Sequence, residues 1–148
     1  MKKRYRPGVF AVVYRKSRKG IEYLILRRVL HWKGWEFPKG GVENEMEKKA
    51  VSREVKEEVG LKPKKIIELK KKGRFKYGKE FEERPGVIGQ KWRLFCVEVR
   101  KGKVSLNKNK DKEHDKYEWL DFEEAYEKLT WKNQKKCLKI VDNYLKKS

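Results

Sequence analysis

The sequence predicts one α/β domain, because segments with the two-residue period of strands alternate with segments that have a helical period. Of its 148 residues, 37% are hydrophobic, and these recur in periodic runs along the whole chain. A chain of this length can bury a hydrophobic core and has the size of one domain. We therefore expect a single domain over residues 1–148, with strands interleaved with a few helices in an α/β sandwich.

The first third of the chain predicts two strands followed by an irregular segment. Residues 9–15 and 23–28 are rich in β-branched and aromatic side chains, and the polar residues 17–20 predict a turn between them. Residues 32–41 are dense in Gly, Pro and Trp and are expected to form a loop.

A helix is predicted over residues 46–59, where Val51, Val55 and Val59 recur every fourth residue. This spacing puts the three valines on one face, which we expect to be buried. Gly60 follows directly, at the position where glycine commonly ends a helix.

The same helix carries three carboxylates on an arc beside its valines. Glu54, Glu57 and Glu58 stand at i, i+3 and i+4, so the helix gathers them on one part of its surface. Like charges at these spacings repel by roughly a few tenths of a kcal/mol per pair, and the helix dipole disfavours negative charge at this end. A hard cation such as Mg²⁺ would relieve the repulsion, and substrate phosphates would complete its ligands. The residues alone therefore predict metal-assisted chemistry on phosphates.

The second half of the chain is predicted to contain three more strands and two helices. In order, these are strands over residues 66–77 and 91–100, a polar loop over 107–116, a strand over 117–120, a helix that includes Ala125 and Leu129, and a helix over 131–145. The strand over 91–100 is mostly apolar and is expected to be central. Asp121 and Glu124 have the spacing of a capping box and start the first helix.

The chain is strongly basic, with 42 Lys and Arg against 22 Asp and Glu and a net charge of +20. Residues 43–58 reverse this balance, with six acidic and four basic side chains. An acidic segment in a basic chain suits a cation site beside a surface that attracts polyanions. We expect most of the lysines to serve solubility, since no motif of a dedicated nucleic-acid-binding module is present.

The cysteines and the histidines give no sign of a metal site. Cys96 and Cys137 lie in apolar segments and are expected to be core residues. His31 and His114 have no partner at a metal-ligand spacing, and no role is predicted for either.

No run is long and apolar enough to span a bilayer. We expect a cytoplasmic monomer without a membrane partner.

Residues 40–61, GGVENEMEKKAVSREVKEEVGL, resemble the box motif of the Nudix hydrolases, which cleave nucleoside diphosphates linked to another moiety. The motif reads Gly, five residues, Glu, seven residues, then Arg-Glu-aliphatic-x-Glu-Glu-x-Gly-aliphatic. Glu45 lies at the motif's distance before Arg53, but only four residues separate it from Gly40. The other matching positions are Arg53, Glu54, Val55, Glu57, Glu58, Gly60 and Leu61. The resemblance implies an α/β/α sandwich with a mixed central sheet.

The resemblance also implies a metal site that holds Mg²⁺, with Mn²⁺ as a substitute. Its expected ligands are the backbone of Gly40 and three carboxylates, Glu54, Glu57 and Glu58. Arg53 is always cationic and cannot bind a metal ion; we expect it to bond to Glu45 and orient the helix. Either Glu54 or Glu57 would deprotonate the attacking water, and the sequence leaves this choice open.

Segments outside the box resemble asymmetric diadenosine tetraphosphate hydrolases. They are Phe-Pro-Lys-Gly at residues 37–40 and the pattern Glu-His-x-x-Tyr-x-Trp-Leu at residues 113–120. By this likeness Tyr117 would stack on adenine and Glu113 would add a carboxylate near the metal; the alternatives are that Tyr117 packs in the core and Glu113 faces water. Lys39 and Lys91 are candidates to contact a polyphosphate, and a solvated loop lysine is the alternative for Lys39.

The predicted activity is metal-dependent hydrolysis of a phosphoanhydride, with diadenosine tetraphosphate cleaved asymmetrically to ATP and AMP as the first candidate. An RNA 5′-pyrophosphohydrolase is an alternative that suits the net charge of +20. A diphosphoinositol polyphosphate hydrolase is another. The last alternative is an inactive basic module that binds nucleic acid or ribosomes. The intact carboxylate set argues against it, since an idle site gains nothing from repelling charges.

Overall fold

A computed structural model describes residues 2–42, 45–78, 81–106 and 112–147. Within these ranges the chain forms one mixed sheet of seven strands with three helices packed on its two faces. The elements in chain order are β1 (Arg4–Ser17), β2 (Gly20–Arg28), β3 (Gly34–Glu36), β4 (Lys39–Gly41), α1 (Glu47–Val59), β5 (Pro63–Lys76), β6 (Val87–Val99), β7 (His114–Leu120), α2 (Phe122–Lys128) and α3 (Lys132–Lys147).

The sheet is built around a parallel pair of long strands, β1 and β6. The main strand order is β3-β2-β1-β6-β5, with β4 paired to β1 and β7 paired to β2. The remaining pairs are antiparallel. The predicted α/β sandwich with a mixed central sheet is therefore confirmed.

Alternating side chains of the central strands form two separate cores. On β1, Val9, Ala11 and Val13 face α1 and pack with its valine stripe, while Phe10 and Val12 face α2 and α3. Such alternation is expected for a strand that is covered on both faces. Both cysteines are buried and free, as predicted.

The ends of the first two helices follow the sequence signals closely. Gly60 adopts the left-handed conformation, with φ of 71°, and its N–H donates to the carbonyl of Lys56. The Asp121 carboxylate accepts a hydrogen bond from the backbone N–H of Glu124 at 2.9 Å. The Gly60 cap therefore fixes the C-terminal end of α1, which carries the acidic residues.

Two predicted loops are wrong in part. Residues 32–41 contain the short strands β3 and β4, which are defined by pairing with β2 and β1 rather than by a sequence period. Of the predicted polar loop, residues 107–111 lie outside the described residues, and residues 114–116 belong to β7. Across the described ranges, none of the helices has the length and apolar character needed to cross a membrane.

Replacing Tyr23 with Phe is expected to destabilise the fold. The Tyr23 hydroxyl donates to Oδ1 of Asp142 at 2.7 Å, and both residues are buried. Tyr23→Phe removes this bond to an acidic acceptor and should lower the free energy of unfolding by about 1.5–3 kcal/mol. Urea denaturation measures the change. Tyr126→Phe, which alters a partly exposed ring on α2, should leave stability unchanged, and equal stabilities for the two variants would contradict the assignment.

Candidate active site

Two carboxylates of α1 are buried beside each other. Glu54 is 9% exposed and Glu58 is 3% exposed. They are one helical turn apart and adjacent to the valines that anchor the helix, so packing of that stripe carries them inward. The side chain of Glu57 is 55% exposed and lies on the solvent side of the same arc. The helix thus presents two buried carboxylates and one accessible carboxylate.

Arg53 connects the helix to the loop before it. Its guanidinium donates to the two carboxylate oxygens of Glu45 at 2.6 and 3.2 Å and to Oε1 of Glu54 at 2.9 Å. It also donates to the carbonyl of Gly41 at 2.9 Å and lies 3.4 Å from Glu57. The bond predicted between Arg53 and Glu45 is present. Arg53 therefore holds Glu54 in place without occupying both of its oxygens.

Gly40 allows the Glu54 carboxylate to lie directly against the backbone of β4. A Cβ atom at this position would collide with the carboxylate of Glu54. The carbonyl of Gly40 accepts a hydrogen bond from Nε2 of buried Gln90 at 3.0 Å. Gly40 thus lies in direct contact with the Glu54 carboxylate, and its role as a metal ligand stays a prediction from the motif.

A buried anion that the sequence analysis missed lies next to this centre. Glu36 ends β3 and is fully buried, with Nη1 of Arg28 at 3.1 Å and Nε2 of His114 at 2.8 Å from its Oε2 atom. Nζ of Lys39 lies 3.4 Å from Oε1. Burial raises the pKa of Glu36, but Lys39, His114 and Arg28 outweigh it and lower the pKa to about 2. Glu36 is a permanent negative charge that organises three basic groups.

The position of His114 departs from the expectation that it would be a loop residue without a role. It begins β7 and is buried against Glu36. No sequence signal identified it, because its partner is 78 residues away and the contact is created by the pairing of β7 with β2.

Glu113 is half-buried at the same end of the sheet and lies 3.5 Å from Nη1 of Arg28. Its carbonyl accepts the backbone N–H of Val29 at 2.9 Å, which fixes the chain there. Burial is the main cause that raises the pKa values of Glu54 and Glu58, and the charge of Glu113 raises both further. The role of Glu113 as a further carboxylate near the metal stays a prediction.

The acidic centre, defined as Glu54, Glu58 and Glu113, carries more negative charge than its neighbours compensate. Burial raises the pKa of Glu54 to about 7 against the opposing effect of Arg53, and burial together with Glu54 and Glu113 raises the pKa of Glu58 well above its usual range. Oε2 of Glu58 is buried without a hydrogen-bond partner among the described residues. A divalent cation would satisfy this oxygen and offset the repulsion.

The donor set fits Mg²⁺ better than a metal held entirely by side chains. In the described part of the chain, no three His, Cys, Asp or Glu side chains are already arranged to hold a metal ion. Mg²⁺ is commonly bound through one or two carboxylates, with waters and substrate phosphates as its other ligands. The acidic centre matches that mode.

The other predicted substrate residues lie on three separate strands, Lys39 on β4, Lys91 on β6 and Tyr117 on β7. Lys39 is half-buried between Glu36 and the ring of Phe75, whose centroid is 5.1 Å from Nζ, so it is not a solvated loop lysine. Lys91 is exposed on β6. Tyr117 is 40% exposed, which excludes the core alternative, and it lines an open groove of about 790 Å³ between β7 and α2.

Comparisons with known proteins identify the family of the chain. The NUDIX domain model matches residues 4–139. The RNA pyrophosphohydrolase of Hydrogenovibrio crunogenus is 35% identical over 130 residues, which are 80% of this chain and 74% of that protein. The RNA pyrophosphohydrolase of Nitratiruptor sp. is 30% identical over 151 residues, covering 99% of this chain and 96% of the relative. Some relatives with the same description are longer, and the chain spans 63% of their length.

Solved structures confirm the fold. The crystal structure of a C. elegans Ap4A hydrolase binary complex aligns with a TM-score of 0.71 over 97% of this chain and 99% of that chain, at 24% sequence identity. At this identity the likeness concerns the fold alone. Since the family model covers nearly the whole sequence and the matching proteins span the same elements, the chain belongs to the Nudix family.

Proposed function

We propose that this Nudix pyrophosphohydrolase removes pyrophosphate from the 5′-triphosphate end of RNA in the presence of Mg²⁺, with Mn²⁺ as a substitute. The predicted enzyme class is confirmed by the family match and the relatives. Among the predicted substrates, the alternative is better supported than diadenosine tetraphosphate. The two relatives named above, 35% and 30% identical, are described as RNA pyrophosphohydrolases, whereas the Ap4A hydrolase likeness concerns the fold.

The observation that carries the proposal is a buried acidic centre within a chain of net charge +20. Adjacent strands β5 and β6 carry a row of exposed basic side chains: Lys70, Lys71, Lys72, Arg74, Lys76 and Lys91. A dinucleotide is too short to use many of these charges. An RNA chain leaving the centre would neutralise them with successive phosphates, and basic surfaces of this kind attract polyanions.

The residues divide the chemical work in a consistent way. A bound cation would neutralise phosphate charge and activate the attacking water. Arg53 keeps Glu54 oriented toward the cation position, and Lys39 donates to a phosphate oxygen. Either Glu54 or Glu57 accepts the proton of the attacking water. Water attack breaks the phosphoanhydride between the α- and β-phosphates, leaving 5′-monophosphorylated RNA and pyrophosphate.

Three further assignments belong to the same proposal. Glu113 adds a carboxylate to the acidic centre, Lys91 contacts the phosphate chain, and the exposed ring of Tyr117 stacks on a base of the substrate. An RNA substrate is consistent with the cytoplasmic location predicted from the sequence. The monomeric state remains a prediction.

A parallel assay of substrates tests the proposal. Triphosphorylated RNA and diadenosine tetraphosphate are incubated with the protein and Mg²⁺, and products are separated by chromatography. We expect pyrophosphate and monophosphorylated RNA, with kcat/KM higher for RNA than for the dinucleotide. ATP and AMP from the dinucleotide, with intact RNA, would restore the first substrate prediction. A diphosphoinositol polyphosphate in the same assay tests the remaining enzymatic alternative.

Salt and chelator separate the enzyme from an inactive binding module. A polyelectrolyte binder loses affinity steeply as salt rises. The proposed enzyme should lose hydrolysis completely with EDTA at constant ionic strength and recover it with added Mg²⁺. Retention of RNA without any metal-dependent turnover would favour the binding module.

Gly40→Ala is expected to reduce hydrolysis by roughly 10²-fold, because a displaced catalytic group costs about this much. The added methyl group must push the Glu54 carboxylate out of its place. Steady-state turnover measures the loss, and circular dichroism checks the fold. Gly78→Ala is the matched control, since a Cβ there meets no atom within 4 Å. Equal activity of the two variants would show that the position of Glu54 is unimportant.

A further inference from the structure

The outer side of α3 is a basic surface that takes no part in the chemistry described above. From the second turn of the helix onward, its exposed positions are Lys136, Lys139, Asn143, Lys146 and Lys147. They recur at spacings of three and four residues, so they lie on one side of the helix, opposite the buried side chains that face the core. We call these five residues the lysine face.

The lysine face has little opposite charge to balance it. α3 contains a single acidic residue, Asp142, which is buried and lies 3.0 Å from Nζ of Lys146. Among the described residues, Lys136, Lys139 and Lys147 form no ion pair. A surface that serves solubility alone usually mixes charges of both signs, and like charges three or four residues apart on a helix repel. The lysine face therefore suits an anionic partner that would offset this repulsion.

α3 lies on the same side of the sheet as Lys39, the candidate phosphate contact. Lys39 is paired with Phe10 between β4 and β1, and directly opposed residues point to the same face of a sheet. Phe10 belongs to the core that α3 covers. Oε1 of Gln134, in the first turn of α3, accepts the backbone N–H of Phe37 at 2.9 Å, and Phe37 follows Glu36 directly. An RNA whose phosphates are held at Lys39 therefore has α3 on its own side of the sheet.

The basic row on β5 borders the same core as α3. Leu69 of β5 is buried in one cluster with Cys137 and Leu138 of α3. Burial raises the pKa of the Cys137 thiol to about 12, and the positive charge of Lys71 opposes this shift, so a lysine of the row acts on α3. The basic row and the lysine face are thus carried by elements that cover one core.

We propose that the lysine face binds the phosphate backbone of the RNA strand downstream of its 5′ end. The proposal rests on the RNA pyrophosphohydrolase function proposed above. A lysine ammonium next to a backbone phosphate releases counterions and does not read the base. The face offers such contacts over roughly 16 Å of helix, from Lys136 to Lys147. It therefore raises the affinity for a long RNA and does not act on a substrate of two nucleotides.

The competing explanation is that these lysines only keep the protein soluble. A triple variant tests this by changing three members of the lysine face, Lys136→Gln, Lys139→Gln and Lys147→Gln. Glutamine is a good helix former, so α3 should remain intact. Lys146 is kept because it is paired with Asp142.

A second triple variant serves as the matched control. It changes three exposed lysines in the segments around Leu61 and Val104, which belong to the other core: Lys62→Gln, Lys101→Gln and Lys103→Gln. Both variants lose three positive charges and have the same net charge. A difference between them therefore reports where the charges were lost rather than how many.

Binding of a long single-stranded RNA, labelled at its 3′ end, is measured by fluorescence anisotropy in EDTA over a range of salt concentrations. At low salt the α3 variant should bind about 10- to 100-fold more weakly than the wild type, and its salt slope should be smaller by about 2, since each lost phosphate contact changes the slope by about 0.7. The control variant should bind like the wild type. Equal losses in both variants, or wild-type affinity in the α3 variant, would overturn the proposal.

Substrate length provides the second arm of the test. With Mg²⁺, the α3 variant should lower kcat/KM for the long triphosphorylated RNA and should have wild-type kcat/KM for a triphosphorylated dinucleotide. Equal losses on both substrates would mean that the lysines act through the fold, and would overturn the proposal. So would binding to vesicles of anionic lipid that depends on the lysine face while RNA binding does not.

The binding and turnover measurements separate failure of this surface from failure of the proposed function. RNA binding that depends on the lysine face, without hydrolysis of any triphosphorylated RNA, would retain the surface and reject the function. Hydrolysis of triphosphorylated RNA, with equal affinity of all variants for the long RNA, would retain the function and reject the surface.

Discussion

Glu58→Gln is expected to lower kcat for triphosphorylated RNA by about 10³-fold, because a bound metal ion lowers the activation barrier by several kcal/mol. Glu58 is 3% exposed, and its Oε2 atom has no hydrogen-bond partner among the described residues. Glutamine has nearly the same shape but carries no charge, so it weakens cation binding without creating a cavity. The rate is measured at saturating RNA over a range of Mg²⁺ concentrations.

The same substitution should not destabilise the protein. Glu54 and Glu113 act unfavourably on a charged Glu58, so removing this charge relieves repulsion when no metal ion is bound. Urea denaturation in EDTA should give a stability equal to or above that of the wild type. Glu123→Gln, at an exposed carboxylate of α2, is the matched control and should have wild-type activity. Wild-type kcat in Glu58→Gln would exclude Glu58 as a metal ligand.

Arg53→Lys is expected to reduce kcat/KM by about 10- to 100-fold, the range typical of residues that orient metal ligands. Arg53 bonds at once to Glu45, Glu54 and the carbonyl of Gly41. A lysine ammonium is a single point and cannot span these three acceptors. The loss should appear mainly as a higher Mg²⁺ concentration for half-maximal activity, since Glu54 is then less well oriented.

Arg27→Lys provides a matched control for that variant. Nε and Nη2 of Arg27 bond to Asp115 in a paired arrangement on the surface, so the same substitution breaks a similar bond that includes no residue of the acidic centre. We expect no change in Mg²⁺ dependence, as exposed ion pairs contribute little. Identical effects of the two lysine variants would mean that Arg53 serves the fold alone.

The sequence predicted the arrangement of α1 well, because its buried residues and its candidate metal ligands lie on the same helix. The valine stripe of α1 and its three carboxylates are local features, so their arrangement follows from helical geometry. The bond between Arg53 and Glu45 was predictable because both belong to one motif. β3 and β4 were missed since three-residue strands have no measurable period and form through pairing with β2 and β1.

The network around Glu36 could not be predicted, because its members come from separate strands. Sheet pairing places Glu36 opposite Leu26, two residues before Arg28, and pairs Arg28 with His114. These register relations are set by the whole sheet, and a single His or Glu in the sequence carries no sign of them. The charge of the network is nevertheless what holds Lys39 beside the acidic centre.

The preference for diadenosine tetraphosphate came from two short segments that the structure connects to the catalytic framework. Lys39, from residues 37–40, and His114, from residues 113–120, both contact Glu36. Residues that build such a framework are useful for any polyphosphate substrate. They therefore carried information on the chemistry and little on the nucleotide.

Hydrolysis of triphosphorylated RNA in water enriched in ¹⁸O, followed by mass spectrometry of both products, tests the central claim most directly. The account predicts equal amounts of pyrophosphate and monophosphorylated RNA. Each cleavage should incorporate one ¹⁸O atom from water into one of these two products. It also predicts no reaction in EDTA and almost none with Glu58→Gln. An RNA 5′ end that stays triphosphorylated in Mg²⁺, or one cleaved equally well without metal, would contradict it.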